Sequence, residues 1–177
     1  NQHEDNDGFN FKELDLDRIC HNDYNWKFYG RFAAALLADT EYVAIFDDDT
    51  IPGNLWFENC METMKEQEGI MGSADAASFA SAAREKPPTW DNGEDIHFSY
   101  TAQKYGGIQT YCPPHPPSDK ELHGSLLGYE LGVDSKATSN NQAVPHQQFF
   151  SERDNCINNS LIGGWETVHN IKPEVKK

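Results

Sequence analysis

Residues Tyr42–Asp49 read YVAIFDDD, so a run of five apolar side chains leads directly into three carboxylates. Such a run is typical of a strand that is buried on both faces, as the strands of parallel sheets are. Good helix formers precede it in the segment Trp26–Ala38, and a helix followed by a buried strand indicates an α/β protein. The sequence therefore predicts a mostly parallel sheet flanked by helices.

Further elements follow from hydrophobic periodicity and from the positions of glycine and proline. The predicted helices are Leu14–Ile19, Trp26–Ala38, Leu55–Glu68, Gly93–Tyr105 and a closing helix that contains Phe149, Phe150, Cys156 and Leu161. The predicted short strands besides Tyr42–Phe46 are Gly69–Gly72 and Ile108–Tyr111. Asn54 and Asn92 are expected to cap the helices that follow them. Apolar residues at helical spacing are expected in the core, namely Phe28, Phe32, Ala35 and Leu36 in one helix and Trp56, Cys60, Met61 and Met64 in the next.

Length and charge bound the class of protein. The chain has 177 residues, enough for one domain with its own core, so a single domain over residues 1–177 is expected. Its 14 basic and 29 acidic residues give a net charge of −15, which disfavours binding to nucleic acid or anionic membranes. No apolar run is long enough for a membrane span, and the polar N-terminal residues do not resemble a signal peptide, so a cytoplasmic location is expected. The four cysteines lack CxxC spacing, which favours reduced, structural thiols over a zinc site or disulfides.

Three adjacent carboxylates, Asp47, Asp48 and Asp49, follow the predicted strand at its carboxyl end. In open α/β sheets, ligands bind in the crevice outside these strand ends. Because the three like charges repel one another, they call for a counter-charge, and a divalent cation held by carboxylate oxygens is the usual solution. The sequence therefore predicts a metal site here, with a helix cap or a solvated acidic turn as the structural alternative.

The order of these motifs resembles the GT-A-fold glycosyltransferases that carry a DxD motif, of the family-2-like or exostosin-like kind. The segment Asp39–Asp49, with Pro52 shortly after it, is similar to their DxD strand, and Arg31 lies in the preceding helix, where many of these enzymes have a basic residue. The segment Trp90–Asp95 (WDNGED) resembles their second acidic motif, in which Gly-Glu-Asp opens a helix beside the acceptor. The resemblance covers roughly residues 24–123 and implies a GT-A-like, Rossmann-like fold.

The same resemblance implies a metal-dependent, hexosyltransferase-like enzyme. It would move a sugar from a nucleotide-sugar, with UDP-sugars favoured, to a glycan or another hydroxyl acceptor. Asp47, with Asp48, would contact the ribose or base of the nucleotide, and Asp49 would hold Mn²⁺ or Mg²⁺ against the diphosphate. A bridging cation neutralises the leaving diphosphate as the glycosidic bond breaks. Arg31 would either contact the nucleotide or anchor the acidic cluster, and the sequence leaves both roles open.

On the acceptor side, the resemblance implies a carboxylate base. Asp95 is the first candidate and Glu94 the second, because a carboxylate can take the proton of an attacking hydroxyl. The alternative is that both residues only complement the dipole of the helix that they open. His123 and His115 follow this helix, where such enzymes often have a histidine as a further metal ligand, and His123 ranks slightly ahead. His97, one turn inside the helix, is expected to be structural.

The sequence departs from the family in two places. The family's first strand and loop, which embrace the nucleotide base, have no counterpart before Asn1, so N-terminal strands are expected to be missing. Only the alanine- and serine-rich segment 73–83 stands where the family has acceptor-site strands. Two other functions stay open. One is a metal-dependent phosphoesterase or nucleotidyltransferase, which would want two metals and more converging ligands; the other is a noncatalytic carbohydrate- or calcium-binding module.

Overall fold

The computed structural model describes residues 13–20, 22–27, 29–47, 51–71, 85–90, 92–116, 118–123 and 146–170. This part of the chain contains both helices and short parallel strands, which is compatible with the predicted α/β class. The helices are α1 (Tyr29–Ala35), α2 (Trp56–Glu66), α3 (Glu94–Gly106) and α4 (His146–Ile162). The strands are β1 (Gly69–Met71), β2 (Gln109–Cys112) and β3 (His169–Asn170).

The three strands form one small parallel sheet in the order β1-β2-β3. Gly69 lies opposite Gln109 in the first pair, and Tyr111 lies opposite His169 in the second. Helix α3 comes between β1 and β2 along the chain, and α4 comes between β2 and β3. Parallel neighbours need such long crossover connections, so the helices follow from the direction of the strands.

The core lies between α3 and α4. Its buried cluster consists of Ile96, Tyr100, Cys156 and Trp165. Helix α3 is buried on all sides from Glu94 to Ala102, and a helix with neighbours all round needs no single apolar stripe. Its Ser99 hydroxyl lies 2.8 Å from the hydroxyl of Thr110 on β2, and the ring of Phe32 on α1 lies 4.2 Å from that of Phe98, centroid to centroid. These contacts make α3 the central helix of the described structure.

The ends of α3 are set by glycine rather than by a polar side chain. Gly107 has a φ of 66°, and its N–H donates to the carbonyl oxygens of Ala102 and Gln103, so it ends the helix as predicted. At the other end the residue before the helix is Gly93, and no side chain caps the helix. The prediction that Asn92 caps α3 is therefore wrong, and so is that for Asn54, because Leu55 precedes α2 without a side-chain hydrogen bond.

The predicted strand Tyr42–Phe46 is not a strand in the structure. The segment has no ladder partner in the described residues, and Tyr42 and Val43 are 48% and 42% exposed. Phe46 instead packs edge to face on Phe57 of α2 with ring centroids 5.6 Å apart. An apolar run becomes a strand only when a neighbour accepts and donates its backbone hydrogen bonds, and the run itself does not supply that neighbour.

Three smaller predictions also fail. Residues Leu14–Ile19 are not helical, and α1 is shorter than predicted, with Leu36 beyond its end and exposed. Met61 on α2 is exposed, whereas Trp56 of the same predicted stripe is buried. Strands β1 and β2 agree with the prediction to within one residue, and Phe28 lies outside the described residues.

The sequence predicts both the state of the cysteines and the lack of a membrane-spanning segment. All four cysteines are free, as predicted, with Cys112 and Cys156 buried. A lipid bilayer could not be crossed by any helix in the part of the chain that the structure describes.

Candidate functional site

Two adjacent carboxylates stand at the buried start of α3. Glu94 and Asp95 are only 5% and 9% exposed. They follow Gly93, which has a φ of 75° and on which a Cβ atom would lie 2.8 Å from Sγ of Cys156 on α4. A residue with a side chain would be strained here and would also collide with α4. Glycine thus lets α4 approach closely and enclose the two carboxylates.

Arg31 connects this helix start to the triple-aspartate segment. One guanidinium nitrogen of Arg31 forms an ion pair with Glu94, and another forms an ion pair with Asp47. The side chain of Glu94 is 7% exposed and that of Arg31 24%, whereas that of Asp47 is 52% exposed. Of the two roles that the sequence left open for Arg31, the structure shows contacts of the anchoring kind. It brings together two acidic motifs that are far apart in the sequence.

A second arginine, Arg153 on α4, holds Asp95. Its Nη2 donates to Oδ2 of Asp95 at 2.8 Å and its Nη1 donates to Oδ1 at 3.3 Å. Asp95 Oδ1 also accepts from the backbone N–H of Ile96 at 2.9 Å. Sequence reasoning missed Arg153, because the only signal was that a basic residue is uncommon in so acidic a chain. With both arginines in place, each carboxylate at the start of α3 has a cationic partner.

Burial raises several pKa values around this helix start. The pKa of Glu94 is raised mainly by burial and then by the charge of Asp95, against the opposing effects of its own backbone hydrogen bond, Arg31 and Arg153. Burial also raises the pKa of Tyr29, with Glu94 as the next cause. It raises the pKa of Cys156 to about 11, with Asp95 as the next cause. A raised pKa means that the ionised carboxylate binds a proton more tightly than an ordinary carboxylate does.

Asn92, two residues before the helix-start pair, is buried at 3% exposure. Its Nδ2 donates to Oε2 of Glu152 on α4 at 2.6 Å. The other oxygen of that carboxylate accepts from Nε2 of Gln148 at 3.0 Å. Asn92 therefore fastens the loop before α3 to α4 instead of capping α3, and sequence reasoning assigned it only the capping role.

The two candidate metal-binding histidines lie side by side. The rings of His115 and His123 are 5.3 Å apart, centroid to centroid. Nδ1 of His115 lies 2.8 Å from the carbonyl oxygen of Pro113, and because a carbonyl can only accept, Nδ1 carries the hydrogen. Nε2, which lies 3.9 Å from Sγ of Cys112, is then the nitrogen with a lone pair when the ring is neutral, and a metal-binding histidine usually coordinates through such a nitrogen. The pKa of His123 is lowered by burial and by His115, which also favours a neutral ring.

The histidine pair lies close in space to the turn that follows the triple-aspartate segment. The backbone N–H of Gly53 donates to the carbonyl oxygen of His123 at 2.8 Å, and that of Leu55 donates to the carbonyl oxygen of Glu121 at 2.9 Å. A Cβ on Gly53 would overlap the carbonyl oxygen of Lys120, so this contact requires glycine. The turn and the loop that carries His123 are thus held together by backbone hydrogen bonds.

Two predicted site residues, Asp48 and Asp49, lie outside the described residues. Within the ranges that the structure does describe, no three side chains of histidine, cysteine, aspartate or glutamate are placed to hold a metal ion. The described part of the predicted metal site is therefore the histidine pair. Imidazole nitrogens suit Zn²⁺, Cu²⁺, iron or Ni²⁺, whereas Mn²⁺ and Mg²⁺ prefer oxygen ligands, which here would have to come from other residues. The predicted structural role of His97 is supported, because it is buried and its Nε2 lies 3.2 Å from the carbonyl oxygen of Glu85.

Comparisons with known proteins add no relative. No protein family, no curated protein and no solved structure was found to match the sequence or the fold.

Proposed function

We propose that this chain is a metal-dependent glycosyltransferase of the GT-A type that moves a hexose from a nucleotide-sugar, preferably a UDP-sugar, to a hydroxyl acceptor. The observation that supports this most is the double contact of Arg31 with Asp47 and Glu94. The sequence resemblance implies donor chemistry at the first motif, which contains Asp47, and acceptor chemistry at the second, which contains Glu94. A transferase needs the two sites next to each other, because the acceptor oxygen must reach the donor sugar.

In this proposal, Glu94 is the base that takes the proton of the acceptor hydroxyl. Asp95 was the first choice from the sequence, but both of its oxygens contact Arg153, an arrangement that holds its carboxylate in place. Glu94 shares its partner, Arg31, with Asp47, and burial raises the pKa of Glu94. Asp95 would then act on Glu94 by its charge, and Arg153 would hold Asp95 in place.

The metal site of the proposal would consist of Asp49, His115 and His123, with Asp47 and Asp48 turned to the nucleotide. When bound, Mn²⁺ or Mg²⁺ would neutralise the leaving diphosphate. The residues of this chain would bind and orient the nucleotide and keep its reactive end near the start of α3. A cation is also what a chain with a net charge of −15 would need to bind a diphosphate.

The test is turnover of a donor panel. UDP-, GDP- and TDP-sugars are incubated with Mn²⁺ and methyl hexopyranosides as acceptors, and nucleoside diphosphate release is measured with and without EDTA. We expect release from a UDP-sugar that depends on both metal and acceptor. Hydrolysis of phosphoesters without sugar transfer would favour the phosphoesterase alternative, and carbohydrate or calcium binding without turnover would favour the noncatalytic module.

A substitution of Asp49 tests the proposal that this residue is a metal ligand. Asp49→Asn should lower the Mn²⁺-dependent affinity for UDP in calorimetry, because a carboxylate ligand is lost. Asp154→Asn removes an exposed carboxylate on α4 by the same substitution and should leave this affinity unchanged. If Asp49→Asn binds UDP and Mn²⁺ as tightly as the Asp154→Asn control, Asp49 is not a metal ligand.

A further inference from the structure

The carboxamide of Asn92 has one satisfied end and one unsatisfied end. Its Nδ2 donates to Glu152 at 2.6 Å, but Oδ1 is buried and accepts no hydrogen bond from the residues that the structure describes. Most buried polar atoms in native proteins have a partner, so an acceptor that lacks one among the described residues is a candidate for a hydrogen bond from another molecule.

The orientation of the carboxamide is fixed by its neighbours. An ionised carboxylate can only accept, so the NH₂ end of Asn92 must face Glu152. Glu152 in turn is held by Nε2 of Gln148 at 3.0 Å from the preceding turn of α4. Turning the carboxamide round would place two acceptors against each other. Asn92 therefore cannot satisfy Oδ1 by exchanging its ends.

The charges around Asn92 define the donor that fits. The next two residues of the helix start, Glu94 and Asp95, are carboxylates that already have arginine partners, and Glu152 is a third carboxylate. An anionic group would meet these carboxylates and an amide oxygen, all of which would repel it. A neutral hydroxyl can donate to Oδ1 without changing this balance of charge.

We propose that Asn92 is a positioning residue that recognises a hydroxyl of the acceptor through Oδ1. That this molecule is the acceptor of a sugar transfer rests on the proposed function. While one hydroxyl gives its proton to Glu94, a second hydroxyl of the same molecule donates to Asn92 and orients the first. The preferred acceptor is therefore a sugar or another polyol, and an alcohol with a single hydroxyl uses only part of the site.

The experiment compares acceptors that differ by one hydroxyl. Methyl β-D-glucopyranoside and methyl β-D-galactopyranoside are tested with their monodeoxy analogues, and 1-propanol represents the single-hydroxyl alcohols. The wild type should lose about tenfold or more in kcat/KM for one of the deoxy analogues, because a site built around a hydroxyl rejects the molecule that lacks it. Asn92→Ala should lose as much with the parent glycoside and should no longer distinguish that analogue, while the KM for the donor and the rate with 1-propanol stay within about twofold.

A paired substitution keeps the acceptor atom and tests folding. In the Asn92→Asp/Glu152→Gln double variant, the amide and the carboxylate exchange places, so their hydrogen bond persists in the opposite direction and position 92 keeps an acceptor oxygen. This variant should discriminate between the glycosides as the wild type does. The control for a general loss of packing is Ser99→Ala. This substitution removes a buried hydroxyl of α3 that is hydrogen-bonded to Thr110 and Trp165. The proposal is overturned if Asn92→Ala keeps the discrimination of the wild type, or if its changes equal those of Ser99→Ala.

A failure of the proposed function would look different. If the wild type turns over no nucleotide-sugar, the same glycosides are titrated in NMR binding experiments with the wild type and the variants. Binding that Asn92→Ala loses and the double variant keeps would support hydroxyl recognition at Asn92 in a nonenzymatic protein. Absence of glycoside binding by the wild type would overturn the inference about Asn92 as well.

Discussion

At the start of α3, two neighbouring carboxylates have different electrostatic surroundings. Both oxygens of Asp95 contact the guanidinium of Arg153, whereas Arg31 divides its guanidinium between Glu94 and Asp47. An arginine partner stabilises the ionised form of a carboxylate, and burial and like charge oppose it. Because burial and the charge of Asp95 raise the pKa of Glu94, the two residues are suited to different roles, a fixed charge and a proton acceptor.

Glu94→Gln should lower kcat by about 10²-fold or more, because an amide cannot take the proton of the acceptor. In the wild type, kcat/KM should fall as the pH drops through the raised pKa of Glu94, which lies above the ordinary value of 4.5, since only the ionised carboxylate is a base. The pH–rate profile checks this, with the exposed Glu166→Gln as the control. An acid limb that persists unchanged in Glu94→Gln would assign the limb to another group.

Two substitutions near Glu94 should move the acid limb of the pH–rate profile in opposite directions. Asp95→Asn should move it to lower pH, because removing the neighbouring negative charge lowers the pKa of Glu94, and Arg31→Met should move it to higher pH. Tyr29 and Cys156, which also face the pair, have raised pKa values and stay uncharged through this range. The folded state holds the Glu94 proton more tightly than the unfolded state, so the contribution of Glu94 to stability falls as the pH rises above 4.5.

Among the elements, those with local signals were predictable from sequence. The C-terminus of α3 and the start of β2 followed from Gly106-Gly107, since an αL glycine after a helical segment ends it without any distant contact. The segment Tyr42–Phe46 carried an equally clear pattern, but a strand depends on a paired neighbour, and a single segment does not encode one. The role of Gly93 was likewise hidden, because it depends on how closely α4 approaches.

Two glycines with similar φ angles allow the cost of backbone strain to be distinguished from the cost of a collision in the core. Gly93 has a φ of 75°, and a Cβ added to it would lie 2.8 Å from Sγ of Cys156, whereas Gly107 has a φ of 66° and open space where its Cβ would be. Gly107→Ala should therefore cost only the left-handed backbone strain, about 1–2 kcal/mol. Gly93→Ala adds a collision in the core and should cost about 3 kcal/mol or more in urea denaturation. Equal losses for the two variants would mean that α4 does not pack against Gly93.

The docking of α4 on α3 can be measured through its ion pair. The side chains of Asp95 and Arg153 are only 12% and 22% exposed, and two hydrogen bonds join them. In a double-mutant cycle of Asp95→Asn and Arg153→Met, the coupling in the free energy of unfolding should be about 1–3 kcal/mol.

The matched control cycle uses Glu62 and Lys65, an i,i+3 pair on α2 whose side chains are 70% and 65% exposed. Water screens such a pair and side-chain entropy opposes it, so its coupling should be about 0.5 kcal/mol or less. If the Asp95–Arg153 cycle gives a coupling as small as this control, the pair does not join the two helices in solution.

For the molecule as a whole, the sequence predicted the acidic half of the candidate site and missed the residues that organise it. The motifs that contain Asp47 and Glu94 stand out locally, because carboxylates beside a turn or a helix start form recognisable patterns. Arg153 and Asn92 act through contacts across the fold, 58 residues from Asp95 and 60 residues from Glu152 respectively. No local pattern contains such a contact, so only the structure reveals it.

The net charge of −15 determines how the affinity for UDP should depend on salt. Without a divalent cation, the field of the protein repels UDP, so the affinity should be weak and should rise when NaCl is increased from about 50 mM to about 500 mM, because salt screens the repulsion. With Mn²⁺ bound, the affinity should increase about tenfold or more, and added salt should weaken it, because the dominant contact is then an attraction between opposite charges. Calorimetry with UDP at several NaCl concentrations, in Mn²⁺ and in EDTA, measures how the affinity depends on salt in both conditions. Uridine, which lacks the diphosphate, is the control ligand and should bind independently of Mn²⁺. If UDP binds equally well in EDTA, or if uridine shows the same dependence on Mn²⁺, the cation does not mediate between this acidic protein and the diphosphate.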